Sequence, residues 1–387
     1  MIPDYLQEAE RLRNTLAALR ADFHARPELG NREFKTAARI EDTLHALGIE
    51  TERVTETAVV ATLRGGLPGP TAALRADMDA LPVQEATAAP FASRIPGVMH
   101  ACGHDVHIAG ALGAAMLLQP HRETLPGSVR FLFQPDEEGD GGAERMLQAG
   151  CLRRVDAVFG AHVSPEYPEG DVAVRYGKFY AASDMLRITV YGKGAHGAER
   201  EKGVDALGAA ALLTTRLLKL PERFRHERCI VSIGSLHAGT AGNILADTAT
   251  MKGILRTLGE DSRAAMNALV YETCRTVEQE TGAVIDCRII ASYPGVVNHD
   301  AQTAAAEQAA QALLGADHVH RIETPTMKTE DFGYFLQRKP GTYYHIGAGC
   351  AYPLHSDRFL PTTECVVRTA AVNAAVLHRY LLNRTGV

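Results

Sequence analysis

The chain has 387 residues, 46% apolar and 22% charged, the profile of a globular protein rather than a disordered one. A formal charge of −6 leaves no basic footprint and excludes nucleic acid as an expected partner. No stretch approaches the ~20 uninterrupted apolar residues of a membrane span, and the length points to two domains.

The opening "MIPDYLQEAERLRNTLAALR" carries charges through its apolar pattern. It predicts an amphipathic helix from about Tyr5 to about Ala25, and not a signal peptide. With no export signal, seven cysteines, an odd number, point to reduced thiols in the cytoplasm. A second helix is expected from near Asn31 to Gly48, a natural C-cap. "VVATLRGG" reads as a strand before the break "GLPGP", and "TAALRADMDALP" as a buried strand ending in a loop. A helix follows from about His104 to Gln119, with apolar residues at 108, 111, 112 and 116. "SVRFLFQPDEEG" is a strand entering an acidic loop, "GGAERMLQAG" a short helix, and "VDAVFGAH" another buried strand. Strands alternating with helices in this way predict an α/β domain with a mostly parallel sheet covered by helices on both faces.

The middle of the chain changes style. Strand "DMLRITVYG", helix "GVDALGAAALLTTRLLKL", strands "RCIVSIGSLHAG" and "DTATMKGILRTL", helix "EDSRAAMNALVYETCRTVEQETG" and strand "AVIDCRIIASY" follow in turn. The order β-α-β-β-α-β is that of a ferredoxin-like α+β module. It is expected over 183–292, inserted into a first domain formed by 1–182 and 293–387.

Four stretches outside that module carry metal-binding chemistry: "ACGHD", "QPDEEG", "FGAHVSP" and "YPLHSDRF". Together they offer Cys102, His104, Glu137, Glu138, His162 and His355, the thiolate, imidazole and carboxylate donors of zinc and related ions. The second and third follow buried strands, and loops at strand carboxyl ends can share one crevice. Adjacent carboxylates repel, raising one pKa unless a cation compensates. One Glu can then bind metal while the other takes a proton from water. Cys102 stands just before a helix N-terminus, which favours the thiolate, as does a nearby metal. Each stretch also has an ordinary reading, as a helix start, a solvated acidic loop or a core histidine; the combination favours the site. His100 and His107 are read as structural and packing residues. "GKGAHG" at 192–197 matches G-x-G-x-x-G, but its helix begins only near Gly203 and no acidic strand end follows, so a dinucleotide site is rejected.

The stretches "DFHARPELGNREFKTA", "LRADMDALPV", "MHACGHDVHIAGALGAA", "FQPDEEG", "GAHVSPEYPEG", "GKGAHGA", "HAGTAGNILADTATMKGILRT", "TEDFGYF", "HIGAG" and "YPLHSDRF" span almost the whole chain. In content and order they resemble the dinuclear metal-dependent amidohydrolases that include hippurate hydrolase, N-acyl-amino-acid amidohydrolases and plant auxin-conjugate hydrolases. That branch belongs with the aminoacylase and glutamate-carboxypeptidase metallopeptidases. The resemblance implies that Cys102, His104, Glu138, His162 and His355 bind two divalent ions per subunit, zinc or manganese, with cobalt and nickel as further options. Glu137 would be the general base acting on a metal-activated water, and Asp79 the acid supporting a metal ligand. Asp77 falls where other branches carry a metal-binding His. His196 would cross a homodimer interface, built through the 183–292 lid, to steady the oxyanion, with hinge motion between the domains. Asn243 and Arg256 would contact substrate. Two departures stand out: "EREKGVDAL" replaces a Pro-His pair after "GAHGA", and "RFLPTTECV" replaces a Phe-Asp-Phe-type run after His355. The expected reaction is hydrolysis of the amide bond of N-acyl amino acids, hippurate-like or N-acetylated, in the cytoplasm. The alternatives are a dipeptidase or carboxypeptidase of the same family, or a non-catalytic binding protein that kept the fold.

Overall fold

The computed structural model describes residues 2–383, which form two compact units. The first comprises 1–177, 297–323 and 331–387 of the chain, the second 178–296 and 324–330. The second unit therefore begins and ends a few residues outside the expected 183–292. It also takes in 324–330, a segment without helix or strand that gave no periodic signal. Backbone bonds explain its membership: Thr326 N–H donates to Phe179 O at 2.9 Å, and Ala181 N–H to Lys328 O at 3.0 Å.

The first unit is built on an eight-stranded sheet. From one edge the order is Glu50–Arg53, Val59–Arg64, Pro126–Gln134, Leu67–Asp77, Ala157–Ser164, Gly341–Gly347, Val172–Val174 and Val319–Arg321. The four central strands all run parallel, in registers that set Asp77 opposite Gln134 and His162 opposite His345. Their carboxyl ends therefore share one rim. The strands Ala157–Ser164 and Gly341–Gly347 are buried along their whole length, as expected of strands covered on both faces. The helix His104–Leu118 has buried residues at all but one position, so it has no polar face to give to water. It packs against the sheet and against the C-terminal helix Thr363–Asn383.

The predicted first helix is two, Tyr5–Arg11 and Arg13–Ala25, divided at Leu12. The edge strand Glu50–Arg53 escaped prediction because "ETER" holds no apolar residue to reveal alternation. A buried ionic network ties the Arg13–Ala25 helix to the start of the His104 helix. Arg20 Nε donates to Asp105 Oδ2 at 2.8 Å, His24 Nδ1 lies 2.9 Å from the same oxygen, and His24 Nε2 is 3.2 Å from Glu85 Oε1.

The second unit holds a four-stranded antiparallel sheet, ordered Val284–Ala291, Ala182–Tyr191, Thr248–Thr257, Ile230–Ala238. Helices Ala206–Leu217 and Glu260–Thr281 pack on it around Leu186, Ile188, Val190, Leu213, Met251, Met266 and Val270. On the strand Ala182–Tyr191, Met185, Arg187 and Tyr191 alternate with these core residues and are exposed. The chain order 4-1-3-2 across the sheet is the ferredoxin-like arrangement expected. Among the described residues no helix is long and apolar enough to cross a membrane.

Burial pulls the His24 pKa down, but Asp105 and Glu85 outweigh it and lift the group to about 9. A folded-state pKa above the unfolded ~6.5 gives stability that is complete below pH ~6.5 and lost as pH rises through 9. The melting temperature should therefore fall between those values, by an amount reflecting on the order of 3 kcal/mol. His24→Gln should melt lower at pH 6 and show a flatter profile across the same window.

Candidate metal centre and active site

The rim formed by the parallel strand ends gathers the donor groups. Asp77 ends one strand and Asp79 follows it; Glu137 and Glu138 lie three and four residues after Gln134; His162 lies near the end of its strand; and the strand Gly341–Gly347 leads into the loop carrying His355. The His104 helix enters from the side. Gly103 makes this entry possible. It adopts φ 91, and a β-carbon there would sit 2.4 Å from Val163 Cγ2. Only glycine tolerates both conditions, and the resulting sharp turn lets Cys102 and His104 present their side chains to one place.

Donor atoms of Cys102, His104 and His162 lie mutually within 4.8 Å. So do those of Cys102, Glu138 and His355, and those of His104, Glu137 and Glu138. The sets overlap through Cys102, His104 and Glu138. Cys102 Sγ is 3.4 Å from His162 Nε2, and His355 Nε2 is 3.1 Å from Glu138 Oε1. His355 adopts φ 66, and its N–H donates to Ala101 O at 2.8 Å, tying its loop to the Cys102 segment.

The imidazoles are oriented by their far nitrogens. His104 Nδ1 lies 2.9 Å from the Asp79 carbonyl oxygen, leaving Nε2 buried and without a hydrogen-bond partner. His162 Nδ1 lies 2.6 Å from Val163 O, which turns Nε2 toward Cys102. A nitrogen donating to a carbonyl leaves its ring partner as a lone pair, the form that binds metal. Glu138 is steadied through its backbone, whose N–H donates to Asp79 Oδ2 at 3.0 Å. An orphaned buried imidazole nitrogen beside a thiol and two carboxyls is the chemistry of a dinuclear divalent-metal site, and these residues fit it.

His107 lies in a neighbouring cluster with Asp77 and His104, but both its nitrogens are engaged. Nδ1 is 2.5 Å from Asp77 Oδ1, and Nε2 accepts the Val163 N–H at 2.9 Å. His100 is buried with both nitrogens unpartnered, and burial drives its pKa down to about 3. Asp77 is held by Arg75 Nη1 at 2.5 Å as well as by His107. Burial alone would raise its pKa; Arg75, His104 and His107 hold it well below the ordinary range.

The electrostatics revise one expectation. At Cys102 the helix N-terminus is outweighed: burial, then the Glu138 and Glu137 carboxylates, pushes the thiol well up. His104 reports the same negative potential. Burial lowers its pKa, but Asp77, Asp79 and Glu138 raise it to about 10. A place that stabilises a buried proton so strongly also stabilises a cation, and a bound cation would restore the thiolate.

Sequence reasoning passed over part of the surround. Arg75 Nε donates to Gln134 Oε1 at 2.8 Å and Nη2 to Asp331 Oδ1 at 2.7 Å; Asp331 Oδ2 accepts from Gln134 Nε2 at 2.7 Å and from Ala143 N–H at 3.1 Å. The signal lay in Arg75 of "LRADMD" and Asp331 of "TEDFGYF", residues to which the resemblance assigned no role. The departure after His355 is partly core: Phe359 is fully buried, and a β-carbon at Gly103 would meet its ring edge at 3.3 Å.

His196, Asn243 and Arg256 all belong to the second unit. His196 bridges to Ile244, and Gly197 N–H donates to Asn243 O at 2.8 Å, so the first two sit in adjoining loops. Arg256 lies near the other end of the strand Thr248–Thr257, opposite Ser183 and Ile230. Its Nη1 is buried without a hydrogen-bond partner. The loop Gly192–Gly197 is followed by a helix that starts only at Ala206, capped by the Asp205 side chain.

Residues 73–379 match the family model described as Peptidase family M20/M25/M40. The chain belongs to this family. This M20-family protein is 37% identical to Thermostable carboxypeptidase 1 of Saccharolobus solfataricus, with 96% of each chain covered. It is 33% identical to the hippurate hydrolase of Campylobacter jejuni, over 98% of this chain and 99% of that one. Among solved structures, a Bacillus subtilis protein described as a dinuclear metal-binding peptidase of the M20 family superposes with a TM-score of 0.87 at 32% identity, covering 96% and 99% of the two chains. The M20-family member described here is a metal-dependent hydrolase, and its donor set accommodates two ions.

Proposed function

We propose that this M20 hydrolase cleaves the amide bond of N-acyl amino acids of the hippurate or N-acetyl type, with Glu137 as general base. The observation that carries the reading is that Glu137 shares one donor cluster with His104 and Glu138. Glu138 is engaged by His355 and tied through its amide to Asp79, and the His104 Nε2 in that cluster is buried without a hydrogen-bond partner. Cys102, His104, Glu138, His162 and His355 would hold the ions, and Asp79 would set the orientation of His104 and Glu138. Bound divalent cations supply Lewis acidity, polarising the acyl carbonyl and lowering the pKa of water toward ~7. Glu137 takes the proton of the attacking water and returns it to the leaving nitrogen, as expected of a positioned general base that becomes a general acid. A thiolate donor favours zinc, and the carboxylate and imidazole donors also suit manganese. Seven free thiols support a reducing, cytoplasmic setting.

The second unit supports a cross-subunit role for His196. Arg256 lies eight residues along its strand from Thr248, the end nearer Asn243, a separation of roughly 27 Å at ~3.4 Å per residue. An N-acyl amino acid is two residues' worth of chain, about 7 Å. That span exceeds the length of the substrate, which supports the three residues reaching it from two lids. In a homodimer formed through the lid, one protomer supplies His196 and Asn243, its partner Arg256, and His196 donates to the oxyanion.

The 37% identity to a protein named a carboxypeptidase favours a second reading, release of a C-terminal amino acid from a short peptide. Metal-reconstituted enzyme assayed on N-acyl amino acids and dipeptides in parallel separates the two; turnover of peptides alone would overturn the first. Glu137→Gln should keep its metal and lose about 100-fold or more in kcat, and a near-normal rate would remove Glu137 as the base. Mixing Glu137→Gln with His196→Ala subunits should restore part of the activity once exchange is verified. No recovery would contradict the cross-subunit role.

A further inference from the structure

The stretch "HARPELGNREF" offers no ligand to the metal cluster, yet part of it closes on the loop that carries Glu137 and Glu138. Glu33 is fully buried, and its Oε1 accepts the Asp136 N–H at 2.9 Å. Its other oxygen, Oε2, is buried without a hydrogen-bond partner. Asp136 adopts φ 58, in the left-handed region that residues with a β-carbon seldom occupy, so its backbone must be held there. Its carboxylate is gripped too. Oδ2 accepts from Asn31 Nδ2 at 2.7 Å and from Arg145 Nη2 at 2.9 Å. Oδ1 fills the space where a β-carbon on Gly30 or Gly139 would come within 2.1 or 2.2 Å. Asn31, across this contact, is also left-handed at φ 63. Two non-glycine residues in this conformation, bonded to each other beside a candidate base, form a strained segment that its surroundings over-determine.

We propose that Glu33 is a positioning residue for the reaction: by holding the Asp136 amide it fixes the backbone from which Glu137 and Glu138 project. The inference rests on the role given to Glu137 above. The clamp needs an acceptor and not a charge. Glu33→Gln keeps an oxygen able to accept the Asp136 N–H, whereas Glu33→Ala leaves that N–H without its acceptor.

The test compares wild type, Glu33→Gln and Glu33→Ala, each reconstituted with manganese. Hydrogen exchange of the peptide spanning 135–139 reads the clamp without turnover. Exchange should be faster in Glu33→Ala and close to wild type in Glu33→Gln; equal exchange in all three overturns the proposal. On an N-acyl amino acid that the wild type hydrolyses, Glu33→Ala should lose about 100-fold in kcat, the effect of a misplacement of about 1 Å. With metal content measured and matched between variants, KM should stay near wild type, and Glu33→Gln should recover most of the rate. A kcat for Glu33→Ala within threefold of wild type, or a loss that Glu33→Gln does not rescue, overturns it. If Glu33→Ala does not fold, Glu33→Asp, one methylene shorter, carries the same comparison: a tenfold loss in kcat supports the clamp, and a wild-type kcat contradicts it. Failure of the wild type to hydrolyse any acyl amino acid would refute the proposed function, while the exchange experiment would still decide the clamp.

Discussion

Buried carboxyl groups and a buried thiol are costly to hold together in a low-dielectric interior unless positive charge sits among them. The first unit meets this constraint in two layers. In the outer layer the protein provides its own cations: Arg75 lies between Asp77 and Asp331, while Arg20 and His24 face Asp105. In the inner layer the groups are a thiol, imidazoles with nitrogens turned inward, and the Glu137–Glu138 pair. That inner set matches the donor preferences of divalent metals, and its negative potential is visible in the raised His104 and Cys102 pKa values. The outer layer fixes the scaffold so that the inner layer can be held in geometry suited to ions.

The sheet makes this division possible. Parallel strands end on a common rim, so loops far apart in sequence open into one place, and each contributes one or two donors. The apolar helix His104–Leu118 and the left-handed Gly103 bring two more donors in from the side. The second unit has a hydrophobic core of its own, and under the proposed function its His196, Asn243 and Arg256 would serve the oxyanion and the substrate carboxylate.

Much of this was legible in the chain because the informative residues come in short contiguous runs. "ACGHD" and "QPDEEG" each place two donors on one turn, and the β-α-β-β-α-β order of the middle segment follows from its periodicities. The expected mostly parallel sheet is present, with antiparallel pairings only where a flanking strand takes part. What escaped notice depends on distant pairs. Arg75 and Asp331 are 256 positions apart, and no local pattern marks either as the other's partner. Glu33 and Asp136 are separated by 103 positions, and the left-handed backbone at Asp136 leaves no trace in composition. The sign of the Cys102 shift was also out of reach, because burial and neighbouring carboxylates outweigh the helix terminus only once the fold is known.

The central claim is that sulfur, imidazole and carboxylate donors at this rim hold a pair of ions. Anomalous diffraction from crystals grown with manganese tests it most directly. The account predicts two peaks about 3.5–4 Å apart, enclosed by Cys102, His104, Glu138, His162 and His355. Peaks absent from this rim in metal-loaded crystals, or a single ion bound by other residues, would contradict it.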